Sequence, residues 1–272
     1  MKLTKSRAIV LALCIIAICS LLLAPLLLTS PVPDMQTTIT NAISYIENSD
    51  EAYALLWLDV MYRRFGIEEF ADALPRYDQM LAEQTTQWSI FDVFRRISVY
   101  DSPMQASVLD DVVVTPTDII ISRALYCDRY GLPSDYFTLL DDAVNQGGYY
   151  LTHVLLACIW IQENGCESAL LHGIIDHVYS ATAVIINRNP MVVNDLTLEA
   201  AAFLYLAGQG ERINPSFVNR VLASQNNDGG WEKDPNGQDG SYWHSTILGL
   251  LLLLHVNSPA DSYPPVLATP AQ

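Results

Sequence analysis

From Met35 onward, two kinds of apolar pattern alternate along this 272-residue chain. Stretches such as Ile67 to Gln84 carry one apolar stripe among Glu68, Glu69, Asp72, Arg76, Asp78 and Glu83, as a helix with one wet face does. Stretches such as Tyr149 to Ile161, Leu196 to Ala207 and Ser245 to Leu254 are apolar on nearly every side. A helix of the second kind must be buried all round. The spacing predicts six pairs, with amphipathic first members near 35–48, 67–83, 102–112, 133–146, 167–187 and 213–225. The apolar second members fall near 50–65, 85–98, 116–130, 149–163, 194–207 and 241–256.

Two concentric rings satisfy that alternation, with inner helices buried and outer helices covering them. The expected fold is therefore all-α, an (α/α)6 toroid over residues 35–258, followed by a flexible tail at 259–272. An open solenoid of helix pairs satisfies the pattern nearly as well. Closure is favoured by the irregular spacing of the inner helices and by the lack of a polar capping pair at the C-terminal end.

The first segment stands apart. Lys2, Lys5 and Arg7 precede Ala8 to Leu28, which has no charge and is long enough to cross a hydrocarbon core of about 30 Å. Residues 1–7 are expected on the cytoplasmic side and 8–28 as a transmembrane signal anchor, with 29–34 as linker and the domain on the extracytoplasmic side of the membrane. A cleaved signal, giving a secreted domain, is the alternative, although no clean Ala-x-Ala site follows the apolar run.

Acids outnumber bases 30 to 14, and three of those bases fall in the first seven positions. A surface this acidic repels nucleic acid and anionic headgroups. The pairs Arg63-Arg64 and Arg95-Arg96 read as helix C-terminal charges complementing the dipole. Beyond the first segment the cysteines are Cys127, Cys158 and Cys166. No C-x-x-C occurs, so a structural zinc finger is excluded on spacing. Cys127 and Cys166 fall near the ends of consecutive inner helices and form the candidate disulfide; three buried thiols are the alternative.

Aligned by their apolar runs, several inner helices place an ionisable residue just before the run: Asp118, His153, Glu199 and His244, with Glu51 as a further case. These are ligand types for zinc or another divalent metal, and equally acid/base partners. Asp and Glu are favoured at a helix start by capping and the dipole alone. A charged imidazole is disfavoured there, so His153 and His244 would tend towards the neutral form. His153, Glu199 and His244 form the most economical two-His, one-carboxylate metal set, with Asp118 as fourth ligand, as a partner that orients a ligand, or as general base, and Asp195 one turn before Glu199 as its substitute. Tyr149, Tyr150, Trp231, Tyr242 and Trp243 crowd the same helix ends, and Tyr150, Trp231 and Tyr242 are candidates for substrate contact.

Gln225-x-x-Asp228-Gly229-x-Trp231 resembles one copy of the Gln/Trp repeat motif of the alpha/alpha-toroid superfamily, the squalene-hopene and terpene cyclases and the protein prenyltransferase beta subunits. Tyr242-Trp243-His244 ahead of an apolar helix is similar to the prenyltransferase segment whose histidine ligates catalytic zinc, and the resemblance implies that role for His244 alone. It is specific over about 213–256. The cyclases' Asp-x-Asp-Asp and the prenyltransferases' Asp-x-Cys have no counterpart here. The sequence thus leads to a membrane-anchored toroid with a divalent-metal or acid/base site, its substrate open. The alternative is a non-catalytic surface module that holds a lipid, glycan or peptide.

Overall fold

The computed structural model describes residues 33–84, 88–112, 115–166, 169–235, 240–260 and 262–270. The expected segments at 1–7 and 8–28, and most of the linker, lie outside them. Among the described residues, no helix is long and apolar enough to cross a membrane.

The domain is all-α, as expected. Its helices are α1 (Met35–Ile46), α2 (Ala52–Phe65), α3 (Ala73–Ala82), α4 (Ile90–Phe94), α5 (Ala106–Asp111), α6 (Pro116–Leu125) and α7 (Cys127–Tyr130). They continue with α8 (Tyr136–Gln146), α9 (Gly148–Glu163), α10 (Ala169–Asn187), α11 (Asp195–Leu206), α12 (Pro215–Ala223) and α13 (Trp243–Asn257). Between α12 and α13 a small antiparallel ribbon pairs β1 (Trp231–Glu232) with β2 (Ser241–Tyr242), setting Trp231 opposite Tyr242.

The two helix classes take the places their patterns dictate. On α8 only Tyr136, Leu140 and Ala143 are buried, a single stripe at helical spacing. On α13 every residue from Ser245 to His255 is buried, and α9 and α11 are buried almost as completely. Packing follows: α9 lies against α6, α8, α10 and α11, while α13 lies against α11, α1 and α2. The α2 helix in turn meets the short turn Arg95–Ile97, and α4 meets α6.

Two expected inner helices differ from their sequence ranges. The element expected at 85–98 is the short α4 followed by a 3-10 turn, Arg95–Ile97. The element expected at 116–130 breaks at Tyr126, whose buried hydroxyl donates to the Val93 carbonyl at 2.9 Å. Just past that break, Cys127 is joined to Cys166 by a disulfide with a Cα–Cα distance of 6.2 Å. Cys158 is a buried free thiol.

The tail expected to be flexible instead packs onto the domain. Val266 and Leu267 are buried, and their amides donate to the two carboxylate oxygens of Glu163 at 2.8 and 2.9 Å. Arg63 donates to the Val266 carbonyl, Arg64 to that of Pro264, and the Ala268 amide to Ile97. The anchors are helix-end side chains far away in sequence. A proline-rich stretch without helical period gives no sign of them.

The Gln225–Trp231 loop is a clasp. Gln225 donates to the carbonyls of Gly229 and, on α1, Thr38, both at 2.8 Å. Trp231 is buried, its indole donating to Val221 and its amide to Thr246. Gly229 has φ +97°, and a Cβ there would stand 2.3 Å from the Asn41 carbonyl oxygen on α1, so only glycine suits both the backbone and the approach.

Candidate functional site

Local sequence sets where the ionisable groups begin. Asn194 caps α11 in a reciprocal box with Thr197, which starts the helix at Asp195. Thr115, Pro116 and Asp118 form the equivalent start of α6. Consecutive glycines with φ +71° and +56°, Gly147 and Gly148, turn α8 into α9. The ribbon's second strand leads directly into α13, which puts His244 second in its helix.

These starts converge on a cavity of about 430 Å³. Each helix contributes one face, read at helical spacing. On α9 the lining runs Tyr149, His153, Leu156, Trp160; on α11 it runs Asp195, Glu199, Phe203. The first turns are therefore polar and the later ones apolar, over about 16 Å along α9 at 1.5 Å per residue. Trp57, stacked on Phe203 at 5.8 Å, Phe94 and Ile121 extend the apolar part.

At the polar end four ionisable side chains alternate in one row: Asp195, His244, Glu199, His153. His244 Nδ1 lies 2.9 and 3.1 Å from the two Asp195 oxygens. Its Nε2 lies 3.6 Å from Glu199 Oε2, a charge contact longer than a hydrogen bond. The other Glu199 oxygen is 3.4 Å from His153 Nδ1 and accepts from the Thr152 hydroxyl. His153 Nδ1 is also 2.8 Å from the Tyr149 carbonyl. A carbonyl only accepts, so this nitrogen carries the hydrogen. The carboxylate side chains are 5% and 1% exposed, the imidazoles 24% and 22%, so dry acids hold imidazoles that reach the cavity.

The electrostatics are unequal along the row. Burial pushes the Asp195 carboxyl up, but His244, then the Ser245 and Tyr149 hydroxyls, more than offset it and hold it below the usual carboxylate value. It is thus an anion at neutral pH. Burial pushes His153 down, yet the hydrogen bond and charge of Glu199, aided by the Tyr149 carbonyl and Asp118, outweigh it and raise the imidazole above 6.5. Tyr149 is raised well above an ordinary phenol, first by burial and then by Asp195, so its hydroxyl is a firm donor.

Of the residues singled out in the sequence, Asp118, His153, Glu199, His244 and Tyr242 all line this cavity. Asp118 is partly spent on its own helix: one oxygen accepts the Thr115 amide at 3.0 Å. Asp195, set out as a substitute for Glu199, stands beside it, and His244 lies between the two. Trp231 and Tyr150 do not line the cavity; Trp231 is core, and Tyr150 packs half-buried against the core. The metal trio His153, Glu199 and His244 is brought together, but as partners of one another. His153 Nδ1 is committed to a carbonyl, and among the described residues no group of three or more His, Cys, Asp or Glu side chains is disposed to hold a metal ion.

Three contributors escaped the sequence reading. Thr152 and Ser245 look like ordinary polar residues at helix starts, and only their contacts with Glu199 and Asp195 reveal a role. Lys233, which also lines the cavity, could have been found, since it is the only lysine after Lys5. No family model matches the chain, and no curated protein or solved structure matches it.

Proposed function

We propose that this domain is an α/α toroid whose inner-helix starts form a general acid/base site acting on a small, largely apolar molecule. The observation that carries the reading is the row Asp195–His244–Glu199–His153 at the polar end of an apolar cavity. Ring closure is supported by the packing of α13 back onto α1 and α2 and by the Gln225 clasp to Thr38.

In this reading Asp195 fixes His244 with its Nδ1 hydrogen inward, so that Nε2 takes up a proton. His153, whose hold on its proton Glu199 strengthens, supplies one. Glu199 lies between the two and ties their charges together. The Cys127–Cys166 disulfide supports an extracytoplasmic setting, with the basic and apolar N-terminal segment as membrane anchor.

The test is proton exchange in deuterated water. Carbonyl compounds with an apolar body and an exchangeable α C–H are incubated with the full-length chain, and deuterium uptake is read by mass spectrometry. The expected result is catalysed uptake that is lost in His244→Gln. Binding of such compounds without exchange would replace this reading with that of a non-catalytic module. Exchange that appears only on adding zinc would replace it with metal chemistry.

A further inference from the structure

The two buried carboxylates that line the cavity are already answered by the protein, and Asp118 is partly so. Asp195 accepts from His244, Ser245 and Tyr149; Glu199 accepts from Thr152 and faces both imidazoles; Asp118 accepts from the Thr115 amide. Lys233 is different. It is the only lysine beyond residue 5 in a chain with 30 acids, and among the described residues no carboxylate pairs with it. Arg63, Arg95, Arg96 and Arg123, by contrast, each pair with an aspartate.

Its position is held from both ends. The Lys233 carbonyl accepts the Asp195 amide at 3.0 Å, which ties this residue to the first turn of α11. Its Nζ stands 5.2 Å above the Tyr242 ring, a cation–π contact that keeps the ammonium beside the cavity without neutralising it. Lys233 is exposed, whereas the apolar lining from Leu156 to Trp160 and Phe203 is buried. Among the described residues, a positive charge with no carboxylate partner therefore sits at the solvent side of a slot whose far end is aromatic.

We infer that the ligand of this site is a monoanion with an apolar body, a carboxylate whose charge is met by Lys233 while its hydrocarbon part fills the lining around Trp57 and Phe203. The inference deepens the acid/base reading and rests on the same cavity. One ammonium matches one charge. A phosphate or diphosphate would bring more negative charge among Asp118, Asp195 and Glu199 than Lys233 can offset. The Lys233 contact orients the carboxylate end near His153 and His244 and so positions the adjoining carbon atoms for proton transfer.

The experiment compares 4-phenylbutyrate, 4-phenylbutanol and 4-phenylbutylamine, one body with three head groups, by calorimetric binding to the full-length chain. The acid should bind about tenfold more tightly than the alcohol, the amine most weakly. Lys233→Gln should erase the preference for the acid and leave alcohol binding unchanged; Lys233→Arg should keep it. Because the side chain is exposed, neither variant threatens the fold. Equal binding of acid and alcohol, a preference for the amine, or a preference that survives Lys233→Gln would overturn the inference while leaving the acid/base reading intact. If none of the probes binds, the inference falls, while the acid/base reading stands or falls separately on the deuterium-exchange assay.

Discussion

His244 Nδ1 lies 2.9 Å from Asp195 Oδ1, across 49 positions of sequence. Three donors converge on this one buried carboxylate: His244 and its neighbour Ser245 on α13, and Tyr149 on α9. Asp195 therefore joins three helix starts and fixes which nitrogen of His244 faces the cavity.

Asp195→Asn keeps the shape but loses the charge and forces one donor to face an amide N–H. Proton exchange should fall by about 10²- to 10⁴-fold, as when an orienting carboxylate is neutralised. Stability should drop by roughly 1.5–3 kcal/mol, the range for a hydrogen bond to a charged group. Isotope uptake and urea unfolding measure the two effects separately. Exchange at the wild-type rate would remove Asp195 from the mechanism.

Glu199→Gln removes the largest influence raising the His153 pKa and leaves the burial that lowers it. The imidazole should then titrate below its wild-type value, seen directly in a proton NMR titration of its C2 hydrogen. The stability sign follows. A raised histidine pKa contributes stability that is full below 6.5 and fades as pH rises through the folded value. The wild type should therefore lose stability across that interval more steeply than Glu199→Gln. An unmoved His153 resonance would show that Glu199 does not hold the proton there.

His255 carries the opposite shift at the other end of α13. Burial first, and then Arg64, push it down to about 4, against the pull of the Leu251 carbonyl. Its Nε2 accepts from Arg64 at 3.2 Å, which only a neutral ring can do. From pH 6.5 down to 4 the unfolded chain binds a proton that the folded chain refuses, so stability falls with acidification by roughly 3 kcal/mol in all. His255→Gln, with an oxygen still able to accept from Arg64, should show a shallower loss in urea midpoints between pH 7 and 4.5. Parallel curves for the two proteins would rule out this group as the source.

Two glycines with positive φ separate backbone strain from crowding. Gly240→Ala, at φ +74° with open space around it, should cost about 1 kcal/mol. Gly229→Ala, at φ +97° and with 2.3 Å to the Asn41 oxygen, should cost at least about 2 kcal/mol more, because α1 must move. Thermal or urea unfolding of the pair decides it. Equal losses would mean that the clasp yields without resistance.

Much of the architecture was legible because helical period is a local property. The all-apolar runs at Tyr149, Leu196 and Ser245 could only be buried helices, and they are α9, α11 and α13. The site was half legible for the same reason. Aligning helix starts found Asp118, His153, Glu199 and His244, since each stands in a fixed register to an apolar run. What stayed hidden depends on which starts face one another. The order of the row, with Asp195 and Glu199 on opposite sides of one imidazole, is set by packing between helices nearly 50 residues apart. So is the anchoring of Val266 and Leu267 by Glu163, across more than 100 positions. Aromatic crowding misled: Trp231 and Tyr242 face each other across the ribbon, yet only Tyr242 lines the cavity.

The bond from Gln225 to Thr38 spans 187 positions. Among the described helices α1 is synthesised first, and its principal neighbour α13 is the last. At about 5–20 residues per second, Ile39, Ala42 and Ile46 wait roughly 10–40 s for the surface that will cover them. During that interval the same apolar face is open to the α13 of another copy. Crowded synthesis should therefore produce exchanged dimers, with α1 traded between chains, in preference to disordered aggregates.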